Sequence, residues 1–271
     1  MAERSMTPEQ RQRYARHLSL AEVGPAGQQR LLQSRVLIVG VGALGAPVAL
    51  YLAAAGVGTI GLADHDYVRL SNLQRQVIHS MDGLNRSKVE GAARMLGGLN
   101  PETKVETIAA TVDEHNAMEL LGRYDVIVDG TDSFRARYLL SDAAYLLRKP
   151  LVHGSIFRIE GQVTVFLPGR GCYRCLYPEP PPAGAIGESE NVGVLAALPG
   201  IIGTIQAAET IKQITGAGDG LVNRVLLHDT MAMTFREVRY SRDRTCPVCG
   251  DRPTVHSLVD YDAFVGVEAR R

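Results

Sequence analysis

The sequence predicts an α/β fold with a doubly wound, mostly parallel sheet that antiparallel strands extend. Short apolar runs without a polar interruption, such as Arg35–Val39 and residues 125–129, are typical of buried parallel strands. Segments of helical composition alternate with these runs, which is the pattern of a parallel sheet covered by helices. Two later runs, at 154–166 and 225–240, predict the antiparallel extension.

The individual elements can be assigned in chain order. Thr7 and Gln10 form a capping box with Pro8 at the first helical position, so a helix should begin there and carry Arg16. The other expected elements are a helix at 46–55, a strand at 59–63, a helix from 88 to about 96, a strand near 104–109, a helix near 116–121, a helix at 134–147 and an uncharged buried helix within 192–208.

A glycine-rich turn follows the first strand. Gly40, Gly42 and Gly45 form the pattern G-x-G-x-x-G between a strand and a helix, and the next strand ends in Asp64. Such glycines let backbone N–H groups and the positive end of the helix approach a phosphate, and the acid can accept hydrogen bonds from ribose hydroxyls. The sequence therefore predicts a Rossmann-like nucleotide site without specifying the nucleotide.

Two cations after Asp64 bear on which nucleotide binds. Arg75 lies in the segment 71–76, and Lys88 opens the following helix. An enzyme that cleaves ATP needs cations near the phosphates, whereas a hydride-transfer enzyme needs a nicotinamide pocket. Most Arg and Lys residues are solvated at the protein surface, and that interpretation fits these two equally well. Spacing alone therefore leaves an ATP-dependent enzyme and an NAD-dependent oxidoreductase both open.

The four cysteines form two C-x2-C pairs. They are Cys172 with Cys175 and Cys246 with Cys249. Four thiolates complete a closed tetrahedron around Zn2+, and this spacing is typical of structural zinc sites. Disulfides and a redox role for the first pair are the alternatives, and close pairs in a cytosolic chain favour the metal. We expect a four-cysteine zinc knuckle that joins two distant segments and leaves no ligand position for water.

Length and charge restrict the possible functions. The 271 residues carry 29 basic and 29 acidic side chains without a basic run, so nucleic acid is not an expected partner. The polar N-terminus lacks a signal pattern, and the uncharged stretch at 192–208 is short for a bilayer, so we expect a cytoplasmic protein without a membrane partner. The expected organisation is a helical segment at 1–34, a nucleotide-binding domain with the zinc site at 35–250 and a tail at 251–271.

These motifs together resemble the MoeB/ThiF adenylyltransferases, the bacterial branch of the ubiquitin-activating-enzyme superfamily. The resemblance runs from Tyr14 to about Gly250, is nearest to the MoeB branch, and rests on the glycine turn, on Asp64 and Asp66, on the sequence S-N-L-Q-R-Q at 71–76 and on Lys88. Where these enzymes usually have a second glycine in the turn, this chain has Ala43. Such enzymes use Mg-ATP to adenylate the C-terminal Gly-Gly of a small ubiquitin-like sulfur-carrier protein and release pyrophosphate.

The resemblance implies roles for individual residues. Asp132 would hold Mg2+, Arg75 and Lys88 would offset phosphate charge, and Arg16 would reach the ATP site of the other subunit of a homodimer. Asp132 and Ser133 also suit a simpler role as helix N-caps. The implied nucleotide-binding residues are Gly40, Gly42, Ala43, Gly45, Asp64, Asp66, Ser71, Asn72, Leu73, Gln74, Arg75, Gln76, Lys88, Asp132 and Ser133.

Sulfur transfer is expected to occur elsewhere. Some relatives carry a sulfur-accepting cysteine where this chain has Ser189, and a hydroxyl cannot form a thioester or a persulfide. We therefore expect the reaction to stop at the acyl adenylate, with a separate sulfur donor and no fused rhodanese domain. Adenylation of a small-molecule or peptide carboxylate, and a scaffold role without catalysis, stay open. So does the pathway, whether molybdopterin, thiamin, cysteine or tRNA thiolation.

Overall fold

The computed structural model describes residues 6–182 and 193–266, and its centre is one eight-stranded sheet. The strands are β1 (Arg35–Val39), β2 (Thr59–Ala63), β3 (Lys104–Ile108), β4 (Val126–Asp129), β5 (Leu151–Phe157), β6 (Glu160–Phe166), β7 (Arg224–Asp229) and β8 (Thr234–Arg239). Their order across the sheet is β3-β2-β1-β4-β5-β6-β7-β8. Strands β1 to β5 pair in parallel, and β6, β7 and β8 are added by antiparallel pairing. The predicted fold class is confirmed.

Helices cover both faces of the sheet. They are α1 (Pro8–Arg13), α2 (Ala15–Leu18), α3 (Gly24–Gln33), α4 (Gly45–Ala54), α5 (Lys88–Leu99), α6 (Ala117–Gly122), α7 (Phe134–Leu146), α8 (Tyr173–Leu176), α9 (Leu198–Thr215) and α10 (Tyr261–Phe264). Helices α3, α4, α5 and α9 bury their apolar side chains on one face, and α6, α7, α8 and α10 on the other. Two 3₁₀ turns, Leu70–Asn72 and Met81–Gly83, lie between β2 and α5.

The N-terminal helix differs from its prediction. The capping box is present, because Thr7 Oγ1 accepts from the Gln10 N–H and Gln10 Oε1 accepts from the Thr7 N–H. The helix nevertheless breaks at Tyr14, between α1 and α2. The Tyr14 ring is 3% exposed and lies against Gly56, and its hydroxyl accepts a 2.9 Å hydrogen bond from Asn100. Burying this ring outweighs continuing one regular helix.

The later strands overlap the predicted runs, and the apolar helix differs from its predicted bounds. The two predicted runs of extended structure are hairpins, β5–β6 and β7–β8, and their tight turns use positive φ at Arg158 and Met233. The apolar helix α9 starts at Leu198 and continues to Thr215, where Gly216 ends it with a φ of 73°. Among the described residues, no helix combines the length and the apolar composition that a membrane crossing requires.

A buried ion pair attaches the C-terminal helix to the rest of the fold. The Arg174 guanidinium donates to both oxygens of Asp142, with its closest contact at 2.8 Å. Tyr261 donates its hydroxyl to the same carboxylate at 2.8 Å, and Phe264 places its ring 4.2 Å from the guanidinium carbon. Helices α7, α8 and α10 therefore meet at one charged contact with almost no solvent access.

The buried ion pair of Arg174 with Asp142 leads to a prediction about stability. Arg174→Met should lower the free energy of unfolding by about 3–5 kcal/mol in urea denaturation, because it leaves the buried Asp142 carboxylate without its counter-charge. Adding Asp142→Leu should recover much of the loss. The exposed pair of Arg244 with Asp251 is the matched control, and Arg244→Met should change the free energy of unfolding far less, because water screens that pair. Equal losses for the two arginine variants would contradict the prediction.

Candidate nucleotide-binding site

The glycine turn packs backbone against backbone. A Cβ on Gly45 would lie 1.9 Å from the Gly40 carbonyl oxygen, and one on Gly40, whose φ is 86°, would lie 2.7 Å from the Gly130 oxygen. No side chain fits at either position. Gly42 is less restricted, since its nearest neighbour would be Gln76 Nε2 at 3.3 Å. The turn thus requires its first and third glycines for space.

This turn presents a row of N–H groups that can bind an anion. Across residues 6–182 and 193–266, the N–H groups of residues 42–45 donate to no protein acceptor. They lie at and before the start of α4, a ten-residue helix whose positive end adds to their field. Free N–H groups at a helix start are the usual setting for a bound phosphate.

Asp64 supports the turn in this structure. Its Oδ2 accepts a 2.8 Å hydrogen bond from the Val41 N–H, and its Oδ1 accepts one of 2.8 Å from the Asp66 N–H. The sequence suggested a ribose contact instead. Each carboxylate oxygen can accept a further hydrogen bond, so both roles can coexist.

Lys88 and Asp66 form an ion pair at the start of α5. Lys88 Nζ lies 2.7 Å from Asp66 Oδ2, and the two side chains are 6% and 49% exposed. Burial alone would raise the pKa of Asp66, but the hydrogen bond and the charge of Lys88 lower it overall. Because an ammonium has three donors, Lys88 keeps two for a phosphate.

The segment 71–76 is held by hydrogen bonds within it and to Arg69. Asn72 Oδ1 accepts from the Arg69 N–H at 3.1 Å, and Arg75 Nη1 donates to the Ser71 carbonyl at 3.1 Å. Both contacts fix the 3₁₀ turn. In this structure the Arg75 guanidinium therefore bonds to the backbone of its own segment.

The two glutamines of this segment differ in burial. Gln76 is 5% exposed, lies beside Gly42, and has no hydrogen-bond partner for its Oε1 among the described residues. Gln74 is exposed and donates to the Val194 carbonyl at 3.3 Å, and Leu73 is half-buried. Gln76 is therefore the member of this segment that contacts the glycine turn most directly.

The loop after β4 adds the predicted Asp132 and Ser133. β4 lies next to β1, with Asp129 opposite Val39, so this loop and the glycine turn leave the same edge of the sheet. Ser133 Oγ accepts from the Ala136 N–H at 3.2 Å, which is the N-cap role considered from sequence. Asp132 is exposed at the same loop.

A buried acid and a histidine stabilise the start of this loop. Asp129 is fully buried, and its Oδ1 accepts from the Thr131 N–H and hydroxyl while its Oδ2 lies 2.7 Å from His153 Nδ1. Burial would raise the pKa of Asp129, but His153 and the nearby charge of Arg137 hold it below the ordinary value. The carboxylate is thereby kept ionised as the acceptor that orders the turn.

Two buried groups beside the glycine turn and the loop after β4 have little or no signal in the sequence. His79 Nε2 lies 3.0 Å from the Val41 carbonyl oxygen, and Arg137 has a buried Nε without an acceptor among the described residues. The only signal for His79 was its position three residues after Gln76. Arg137 had none, because an arginine within a helix is usually a surface charge.

Arg16 is not brought to the turn within one chain. It is exposed on α2, where the neighbouring His17 Nδ1 lies 2.8 Å from Gln28 Oε1, and Gln28 Nε2 donates to the Ala55 carbonyl. Ala55 follows the last turn of α4, whereas the glycine turn lies at its first turn, about 15 Å away. A contribution of Arg16 to this site would need a second subunit.

The four cysteines form a separate cluster. All four Sγ atoms lie within 4.8 Å of one another, with Cys172 3.6 Å from Cys246 and Cys175 3.2 Å from Cys249. A tetrahedron with Zn–S bonds of about 2.3 Å has edges of about 3.8 Å, so the spacing and the donor type fit Zn2+. The predicted grouping of the two pairs is confirmed.

Comparison with known proteins identifies the family. The ThiF family model matches residues 14–248. This chain belongs to the ThiF family. A sulfur carrier protein adenylyltransferase of Thermus thermophilus is 45% identical, with 96% of this chain and 98% of that protein covered. The SAMP-activating enzyme E1 of Haloferax volcanii is 47% identical, with 95% of each covered.

Other matches agree with this ThiF-family assignment. An adenylyltransferase and sulfurtransferase MOCS3 of Anopheles gambiae is 46% identical, and the match covers 95% of this chain but 59% of that protein. The crystal structure of E. coli MccB with MccA-N7isoASN has a TM-score of 0.80 at 23% identity, covering 92% of this chain and 76% of that one. The latter likeness supports the fold. The family resemblance inferred from the sequence is confirmed.

The close backbone packing in the glycine turn of this ThiF-family protein leads to a prediction about stability and ATP binding. Gly45→Ala should lower the free energy of unfolding by about 1–3 kcal/mol and abolish ATP-dependent thermal stabilisation, because the new Cβ displaces the Gly40 carbonyl. Gly200→Ala is the matched control, since a Cβ there meets no atom within 4 Å. It should leave both properties intact or raise stability slightly. Normal ATP-dependent stabilisation in Gly45→Ala would contradict the prediction.

Proposed function

We propose that this protein uses Mg-ATP to adenylate the C-terminal carboxylate of a small ubiquitin-like sulfur-carrier protein that ends in Gly-Gly. The observation that carries the proposal is the row of N–H groups at 42–45, none of which has an acceptor among the described residues. These N–H groups can bind a phosphate chain near Lys88, at the start of α5, and near Asp132, in the loop after β4. The names of the near-full-length relatives point to the substrate class.

The proposed reaction is an in-line displacement at phosphorus. A carboxylate oxygen of the carrier attacks the α-phosphorus of ATP, the bond to the β-phosphate bridging oxygen breaks, and pyrophosphate leaves with that electron pair. No general base is needed, because a C-terminal carboxyl group has a pKa of about 3.3–3.7 and is ionised at neutral pH. The N–H row, Arg75 and Lys88 would offset the charge that develops on the phosphates.

Asp132 is the proposed Mg2+ ligand of this chain. An exposed carboxylate supplies the hard oxygen that Mg2+ prefers, and Mg2+ would offset phosphate charge. Ser133 already caps α7 through its hydroxyl, so its contribution to the nucleotide site would come from shaping the loop.

The proposal includes a homodimer, a separate sulfur donor and a cytoplasmic location. Because α2 is tied to the far end of α4, Arg16 can serve an ATP site only in a partner subunit. The separate donor rests on Ser189, which lies outside the described residues, as does most of the proline- and glycine-rich segment at 178–191. ATP as the substrate favours the cytoplasm.

Pyrophosphate exchange would test this function. Purified protein with ATP, labelled pyrophosphate and each ubiquitin-like carrier of the same genome should exchange label with one carrier. Arg75→Ala and Asp132→Ala should each lower the rate by about 10²-fold or more, since each removes charge stabilisation near the phosphates. Arg252→Ala changes an exposed arginine beside the cysteine cluster and should leave the rate unchanged. Lack of exchange with every carrier would contradict the assignment.

The cysteine cluster is proposed to hold one structural Zn2+. Metal analysis should find about one zinc per chain, and a strong chelator should lower the melting temperature, because the metal joins two segments that are 74 residues apart. Cys246→Ser with Cys249→Ser should remove the zinc and make the melting temperature insensitive to the chelator. If the zinc-free protein still catalyses pyrophosphate exchange at low temperature, the result would agree with a structural role for the metal. Full stability without metal would contradict it.

A further inference from the structure

We propose that His79 is a positioning residue that sets the orientation of the phosphate-binding glycine turn. The inference rests on the nucleotide site of the proposed function and assigns a role to a side chain outside the glycine pattern. His79 follows the segment 71–76 and is 9% exposed. Its imidazole Nε2 lies 3.0 Å from the carbonyl oxygen of Val41, within the turn.

The hydrogen-bond chemistry fixes the imidazole tautomer. A carbonyl oxygen only accepts, so the proton of this bond belongs to His79 Nε2. Burial lowers the pKa of His79, which keeps the ring neutral and Nδ1 bare at neutral pH. Nδ1 has no hydrogen-bond partner in the part of the chain that the structure describes. Within the described residues, the one hydrogen bond of the ring is therefore the one to the turn.

That contact controls which way an adjacent N–H points. The chain has no cis peptide bond among the described residues, and in a trans peptide the C=O of Val41 and the N–H of Gly42 point in opposite directions. With the carbonyl held by His79, the Gly42 N–H must face away from the imidazole. Like the N–H groups of residues 43–45, it donates to no acceptor in the described part of the chain.

Without this contact the peptide between Val41 and Gly42 could rotate at low cost. Glycine tolerates both signs of φ, so the Gly42 side offers little resistance to a flip. A flipped peptide would turn a carbonyl oxygen toward the phosphates and repel them. Asp64 holds the preceding peptide through the Val41 N–H at 2.8 Å. Asp64 and His79 thus fix the two peptide planes on either side of Val41, and both side chains come from outside the turn.

Substitutions at His79 can separate this role from simple packing. A glutamine amide reaches the position of Nε2 and can donate to Val41, whereas asparagine is too short and leucine has no donor. In calorimetric titration with Mg-ATP and no carrier, His79→Gln should bind within about threefold of the unmodified protein. His79→Leu and His79→Asn should bind about tenfold more weakly, the size expected for one lost hydrogen bond.

His228 supplies the matched control. It is another buried histidine, 2% exposed, with one ring nitrogen near a backbone carbonyl and the other without a partner among the described residues, but it lies on β7. His228→Leu should lower the melting temperature while leaving ATP affinity unchanged. If His79→Leu does not fold, the Gln and Asn variants decide the question, since both are polar and differ in reach.

The outcomes distinguish this inference from the proposed function. Equal ATP affinity for His79→Gln and His79→Asn, or unchanged affinity for His79→Leu, would overturn the positioning role. Normal ATP binding by the unmodified protein without carrier-dependent pyrophosphate exchange would overturn the proposed function alone. No ATP binding by the unmodified protein would overturn both. In the exchange assay, His79→Leu should raise the KM for ATP and leave the KM for the carrier unchanged.

Discussion

The nucleotide site depends on direct backbone contact at the end of β1. The Gly40 carbonyl fits against the Cα of Gly45 on one side and the Gly130 backbone on the other, and neither contact leaves room for a Cβ. This contact turns the chain sharply into α4 and brings the loop after β4 beside the glycine turn. The strand order β2-β1-β4 therefore places three loops at one edge, although they are far apart in sequence.

The charges around this edge are organised by protein contacts before any ligand binds. Asp64 accepts from two backbone N–H groups, Asp66 is paired with Lys88, and Asp129 is bonded to His153. Each carboxylate thus has a positive partner or N–H donors. An incoming phosphate chain would meet the free N–H row with less repulsion than three unpaired acids would cause. Preorganisation of this kind also limits the rearrangement that binding requires.

Much of the fold could be predicted because its signals are local. Buried parallel strands, the glycine pattern and the two C-x2-C pairs are each read within a few residues. The break at Tyr14 could not be, since the ring is buried against Gly56 and Asn100 from distant segments. The contact of His79 with Val41 joins residues 38 positions apart and leaves no periodic trace. The backbone role of Asp64 was missed because a ribose contact and a turn contact use the same side chain.

The cysteine cluster has a consequence for the order of folding. Cys172 and Cys246 lie 74 residues apart, so the cluster can close only after β7 and β8 have been synthesised, whereas β1 to β4 are complete by Asp129 and can pair earlier as the chain emerges. Closing so long a loop carries an entropic penalty that nearby contacts must offset. During that interval Cys172 and Cys175 lack the contacts with Cys246 and Cys249. Cys172, which is buried in the folded protein, is exposed to oxidants in the nascent chain.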